Sequence, residues 1–276
     1  MTDPHLRAGS VAVILRAVKA KRLGILFLTG AFVNFTPIVF AGRTLVAVEA
    51  GDSALEKFDL NTAIRDYRLA LQSQPNNYEA TWKLCRGLVD EGTLTQLRAD
   101  QKLCFVEAER LAHRAIGLQP EDANGHLYLA IAVGKLALFE GGKRKVELSK
   151  EVKVEAEKAL ALNSNEDIAY HVLGVWHREM AELNWMLKKF AGLLYGGLPA
   201  ASLDQSLKNL RHAVELAPEN VAHQVELAKT FVAVGSWGAA RNTIDHAQRM
   251  QSTWVTDNYY KTEAVELLGR VNRNLR

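Results

Sequence analysis

Residues 206–231, SLKNLRHAVELAPENVAHQVELAKTF, decide the fold. Ser206, Leu210 and Ala213 share one face of a helix, and Pro218 stops it. Six residues beyond that stop begins a second pattern, in which Leu227 and Ala228 precede Phe231 on another helical face. A small residue opposite a large one lets two helices approach closely, so each helix is shaped to receive a neighbour.

The same register returns along the whole body. The first pattern recurs as Ala63, Tyr67, Ala70, Pro75; as Ala108, Ala112, Ala115, Pro120; as Val152, Ala156, Ala159, Ser164; and as Ala240, Ile244, Ala247, Ser252. The second recurs as Leu84, Cys85, Leu88; as Leu129, Ala130, Val133; and as Leu173, Gly174, His177. The alanines at positions 70, 115, 159, 213 and 247 are 45, 44, 54 and 34 residues apart. The last spacing is the tetratricopeptide period, and the others carry about 11, 10 and 20 extra residues. These extras fall between the two helices of a unit.

The pattern therefore predicts an all-α superhelix, a tetratricopeptide-like solenoid over 42–276. Helices are expected near 45–56, 61–73, 77–91, 100–118, 122–140, 145–162, 166–194, 202–216, 219–234, 237–250 and 256–274. No strand pattern is found. The helix at 166–194 is apolar on nearly every face, the mark of burial on all sides or of a cavity wall.

Residues 1–41 read differently. Five basic residues (Arg7, Arg16, Lys19, Lys21, Arg22) oppose Asp3, which gives +4 of a whole-chain net charge of +3 and leaves the body near −1. A near-neutral body argues against nucleic acid as a partner. An apolar run over 23–41 ends in Val39-Phe40-Ala41, the small-residue spacing of a signal-peptidase site, so the leader reads as a signal peptide; an uncleaved membrane anchor and a mitochondrial targeting segment are the rivals. The expected location is exported, periplasmic or membrane-anchored, or else an organelle membrane facing the cytosol.

Two cysteines, Cys85 and Cys104, permit one disulfide at most, and buried free thiols are the simpler reading. His171 and His177 lie too far apart along a helix for a zinc pair, and Gly141-Gly142-Lys143 lacks the strand and the Ser/Thr of a phosphate loop. The sequence names no catalytic residue, no metal and no cofactor, and the expectation is a protein without enzymatic activity.

First helices supply the concave surface of such a superhelix. The register places Trp82, Arg86, Val89, Asn124, Leu127, Ile131, His171, Val175, Arg178, Val225, Lys229 and Val232 there. Three cations beside apolar slots suit an acidic peptide, a carboxylate or an anionic headgroup, unless they pair with neighbours such as Glu179 and Glu226. An alternative site for an apolar ligand such as a phospholipid runs along Trp176, Met180, Trp185 and Phe190.

Within 141–218, His171-x-Leu173-Gly174-x-Trp176, Met180-Ala181-x-Leu183-x-Trp185 and the Leu198-Pro199-x-Ala201-Ser202 turn, followed by Ala213 and Pro218, carry a resemblance to the regulator of microtubule dynamics family. The resemblance implies a tetratricopeptide-like adaptor at membrane, spindle or organelle surfaces, without catalytic residues. The leader departs from it, and microtubules are an expected partner only in a eukaryotic cytosol. Otherwise the expected partner is a protein or peptide, with lipid as the alternative.

Overall fold

The computed structural model describes residues 36–183, 188–189, 192–193, 197 and 199–275, with side chains from Thr44 onward. Eleven helices are laid out among them: α1 (Thr36–Glu56), α2 (Leu60–Ser73), α3 (Tyr78–Leu94), α4 (Arg98–Leu118), α5 (Ala123–Leu136), α6 (Gly142–Leu162), α7 (Asp167–Glu182), α8 (Leu203–Leu216), α9 (Val221–Ala233), α10 (Trp237–Arg249) and α11 (Asp257–Asn274). No strand occurs among the described residues.

Local chemistry sets the boundaries. Side chains of Asp59, Asn77, Asp122, Ser202 and Asn220 accept hydrogen bonds from the free N–H groups that open α2, α3, α5, α8 and α9. Gly235, with φ +76°, turns the chain between α9 and α10 in a conformation that other residues resist.

Successive helices pair antiparallel as α1–α2, α3–α4, α5–α6, α7–α8 and α9–α10, with α11 closing the end. Ala70, Ala115, Ala159, Ala213 and Ala247 are completely buried, so the alanine slots face inward as the spacing requires. Gly174 shows why small residues are needed. A Cβ there would lie 2.5 Å from Leu210 Cγ, so α7 reaches α8 only through a glycine.

First helices also touch one another: α3 meets α5, α5 meets α7, and α7 meets α9. They form a continuous inner wall. The larger core runs through α1 to α7 with Tyr67, Leu88, Leu111 and Leu127 at its centre, and a second gathers Val221, Val225, Ile244 and Val271 from α9 to α11.

The structure differs from the sequence expectations at three places. The long helix expected over 166–194 ends at Glu182, because Leu183 takes an extended ψ of 133°. Helix resumes at 188–189 and 192–193, while Trp185 and Phe190 lie outside the described residues. The extra residues of the 45- and 44-residue spacings do not form long connections; they lengthen α4 and α6 to 21 residues each. Finally, α1 begins at Thr36, nine residues before the start expected at 45 and inside the segment read as signal or anchor. The remainder of that signal or anchor segment, 1–35, lies outside the described residues. No described helix is long and apolar enough to cross a membrane.

Candidate functional site

A cavity of about 720 Å³ lies against the inner wall, lined by α3, α5, α7, α9 and the start of α11, with Lys145, Ser149 and Val152 of α6 at one side. Each wall helix contributes a narrow stripe at helical spacing: Arg86, Val89, Asp90 and Thr93 from α3, and Ile131, Gly134 and Lys135 from α5, with Leu138 just beyond its end. From α7 come His171, Val172, Val175 and Glu179; from α9 come Ala222, Glu226 and Lys229. The turn before α11 and its first two turns add Trp254, Asp257, Tyr259, Tyr260 and Glu263.

Two polar networks bind this wall together. In the first, Arg178 Nη2 reaches Glu226 Oε2 at 2.6 Å and Arg178 Nη1 donates to the Glu226 carbonyl at 3.1 Å. Lys229 Nζ donates to Glu226 Oε1 at 2.7 Å and to Glu263 Oε2 at 3.0 Å, which ties α9 to α11. Burial works against the Glu226 carboxylate, yet Arg178 and Lys229 hold its pKa well below the ordinary range. Two of the three expected cations are thus already satisfied by acids.

The second network ends at the cavity surface. His223 Nε2 lies 2.7 Å from Asp167 Oδ2, and its Nδ1 lies 2.9 Å from His171 Nδ1. A contact of that length between two ring nitrogens needs one N–H and one lone pair. Burial, and then the neighbouring His223, push the His171 pKa down to about 3. His171 is therefore neutral near pH 7 and offers hydrogen bonding without charge.

Arg86 and Lys135 are held differently. The Arg86 guanidinium carbon sits 5.4 Å from the Trp82 ring centroid and 4.9 Å from that of Trp254, and its Nε has no hydrogen-bond partner among the described residues. Lys135 forms no ion pair within 4.0 Å among the described residues, and burial lowers its pKa despite Glu226 and Glu263 nearby. Burial also pushes the Asp90 carboxyl up to about 7, against the pull of Arg86 and the hydrogen bond from Trp254.

Of the residues expected on the concave surface, Arg86, Val89, Ile131, His171, Val175, Arg178 and Lys229 line the cavity. Leu127, Val225 and Val232 are buried in the helix packing instead. Trp82 stacks on Tyr128 at 5.8 Å, outside the lining, and Asn124 sits in the first turn of α5 bonded to Asp122. The α5 stripe therefore lies one turn further along than the register placed it. Trp176 and Met180, from the apolar alternative, reach the cavity only by an edge, being 4% and 9% exposed; the Trp176 Nε1–H is fixed on the Ser149 carbonyl at 2.7 Å.

Glu226 takes the pairing role that the sequence offered as the alternative to free cations, whereas Lys135, Asp90, His223 and Trp254 were not foreseen. Asp90 and Lys135 each follow an expected wall residue by one turn, at Arg86 and Ile131, so extending the stripes finds both. Trp254 follows the last repeat and no periodic signal reaches it. Cys85 and Cys104 are both free thiols.

The comparisons with known proteins agree with this architecture. A thermophilic tetratricopeptide repeat protein of Thermus thermophilus superposes with a TM-score of 0.61 at 13% identity, covering 81% of this chain and 99% of that one. PilW, described as a widely conserved type IV pilus biogenesis factor, superposes with a TM-score of 0.51 at 15% identity, over 84% of this chain and 86% of that one. At such identities the likeness shows the fold alone. Regulator of microtubule dynamics protein 3 of Xenopus laevis is 27% identical over 194 residues, which cover 70% of this chain and 42% of the frog protein. Regulator of microtubule dynamics protein 1 of Mus musculus is 26% identical over 205 residues, 73% of this chain and 67% of the mouse protein. The chain thus spans less than half the length of the frog relative. The model of regulator of microtubule dynamics protein 1-3 matches residues 47–272, nearly the whole repeat body, and the chain belongs to that family.

Proposed function

We propose that this chain is a non-catalytic scaffold that takes an extended peptide segment of a protein partner into the concave cavity. The observation that carries the reading is the composition of the wall. Apolar positions (Val89, Ile131, Val172, Val175) alternate with neutral or internally paired polar groups (His171, Glu226, Lys229), which suits a peptide whose main chain needs hydrogen bonds and whose side chains need apolar slots. The pairing of Arg178 and Lys229 with acids removes the demand for a strongly acidic ligand that three free cations would make. The cavity volume falls in the range of sites that enclose a small ligand or a few residues of chain.

The family and the repeat fold support a binding role, and the relatives' names point to microtubule dynamics as one setting. For this chain a microtubule-linked partner fits a eukaryotic cytosol, whereas the leader reading places the domain on or beyond a membrane.

Val175→Trp tests the site, because it fills the cavity from a half-buried wall position that holds no ion pair. Recovery of crosslinked partners from the source cells is expected to fall about tenfold or more, with the melting temperature nearly unchanged, since a surface change away from packed features costs little. Unchanged recovery rejects the cavity as the site. Native mass spectrometry that instead finds co-purifying lipid, lost in the same variant, reassigns the cavity to an apolar ligand.

A further inference from the structure

By its packing α11 belongs to the last repeat: Ala264 and Val271 are fully buried in the core shared with α9 and α10. The turn leading into it belongs elsewhere. Trp254 and Val255 lie against the larger core built by α1 to α7. The Trp254 Nε1–H donates to Asp90 Oδ2 on α3 at 3.1 Å, across 164 residues of sequence, and its ring covers Arg86 within cation–π range. The turn thus spans the concave side from one core to the other.

At its base this turn is stiff. Asp257 Oδ2 accepts from the backbone N–H groups of Thr253 and Trp254 at 2.7 and 2.8 Å. At its tip, the Trp254 indole carries the hydrogen bond to α3. One hydrogen bond, one cation–π contact and the partial burial of Trp254 and Val255 are together weaker than a packed repeat, so release of the tip is a smaller event than unfolding of either core.

We propose that Thr253–Thr256, the turn before α11, is a strap that opens and closes one end of the concave cavity, with Trp254 latching onto Arg86 and Asp90. Thr253, Trp254 and Thr256 line the cavity, so release of the strap removes part of its wall and widens the mouth through which a ligand enters. That consequence rests on the binding reading above; the opening itself is measurable without any ligand.

Val89→Cys puts a thiol on α3 in the cavity wall by the strap, at a site only 7% exposed. One turn earlier, the native Cys85 is fully buried, faces α4 through the Ala108 carbonyl, and reports unfolding of the core. Maleimide labelling resolved by peptide mass reads both thiols in the same molecule. The introduced thiol is expected to react about tenfold or more faster than Cys85, because local opening is easier than global unfolding. Adding Trp254→Ala is expected to speed it about tenfold again while Cys85 stays protected, and Asp90→Asn, which keeps the shape and weakens the acceptor, by a smaller factor. Equal rates at the two thiols overturn the strap, as does a Trp254→Ala variant that speeds both together or changes neither. A partner that binds no variant counts against the binding reading and leaves this readout intact.

Discussion

Arg178→Ala is expected to cost about 3–5 kcal/mol of stability in chemical denaturation, the range found when one partner of a buried ion pair is removed. Arg178 and Glu226 keep only 6% and 8% of their side-chain surface exposed, and α7 meets α9 through this contact. Removing the guanidinium leaves Glu226 buried with Lys229 alone, and frees the Glu226 carbonyl and the Thr230 hydroxyl of a donor. The double variant Arg178→Met with Glu226→Leu is expected to lose less than the single one, because apolar replacement of both partners leaves no charge uncompensated. A loss under about 1 kcal/mol for Arg178→Ala is the behaviour of an exposed pair and contradicts the burial argument. The same reasoning makes Arg178 unsuitable for testing partner binding, since its loss weakens the joint between repeats.

Gly174→Val is expected to cost about 1–3 kcal/mol through overpacking. Helix propensity alone predicts the opposite sign, since glycine in a helix interior is less stable than alanine by roughly 0.5–1 kcal/mol. The clash decides: a Cβ at 174 comes within 2.5 Å of Leu210 Cγ, the branch point of a completely buried side chain. Gly269, in the middle of α11 with its nearest foreign atom 3.9 Å away at Arg273, provides the control. Gly269→Ala is expected to stabilise by roughly 0.5–1 kcal/mol, the propensity gain without the clash. Combining Gly174→Val with Leu210→Ala tests the assignment, because residues in contact give non-additive losses. Simple additivity of the two would show that Gly174 is not the point of close approach.

Much of the fold was legible because its determinants are local and repeated. Alanine and glycine at fixed offsets, with proline or serine at the stops, report helix spacing directly, and apart from the start of α1 and the end of α7 the helices fall within a few residues of their expected limits. The end of α7 was not legible. Apolar residues continue through Trp185 and Phe190, and nothing in their periodicity signals that Leu183 leaves the helix.

The site was legible in part. First helices bury two faces, one against their own partner and one against the next repeat, so the strip left for the concave surface is narrow. On α5 every residue from Gly125 to Ala130 is buried, and the strip opens only from Ile131 onward to Lys135. A small error in register therefore turns Leu127 or Val225 from wall into core. The sequence left open whether the wall cations are free or paired with acids such as Glu179 and Glu226, because pairing across repeats, such as Arg178 with Glu226 at a separation of 48 residues, depends on superhelical geometry that no local pattern encodes. Trp254 was invisible for the same reason: its partner Asp90 is distant in sequence, and Trp254 itself lies outside the repeating register.

The most direct test places a photoreactive residue at Ile131, on the cavity wall, and in a second protein at Val154, exposed on the outer helix α6. Irradiated in the source cells, the first is predicted to capture a discrete partner that the second does not. Capture from position 154 alone, or equally from both, would contradict recognition through the concave cavity.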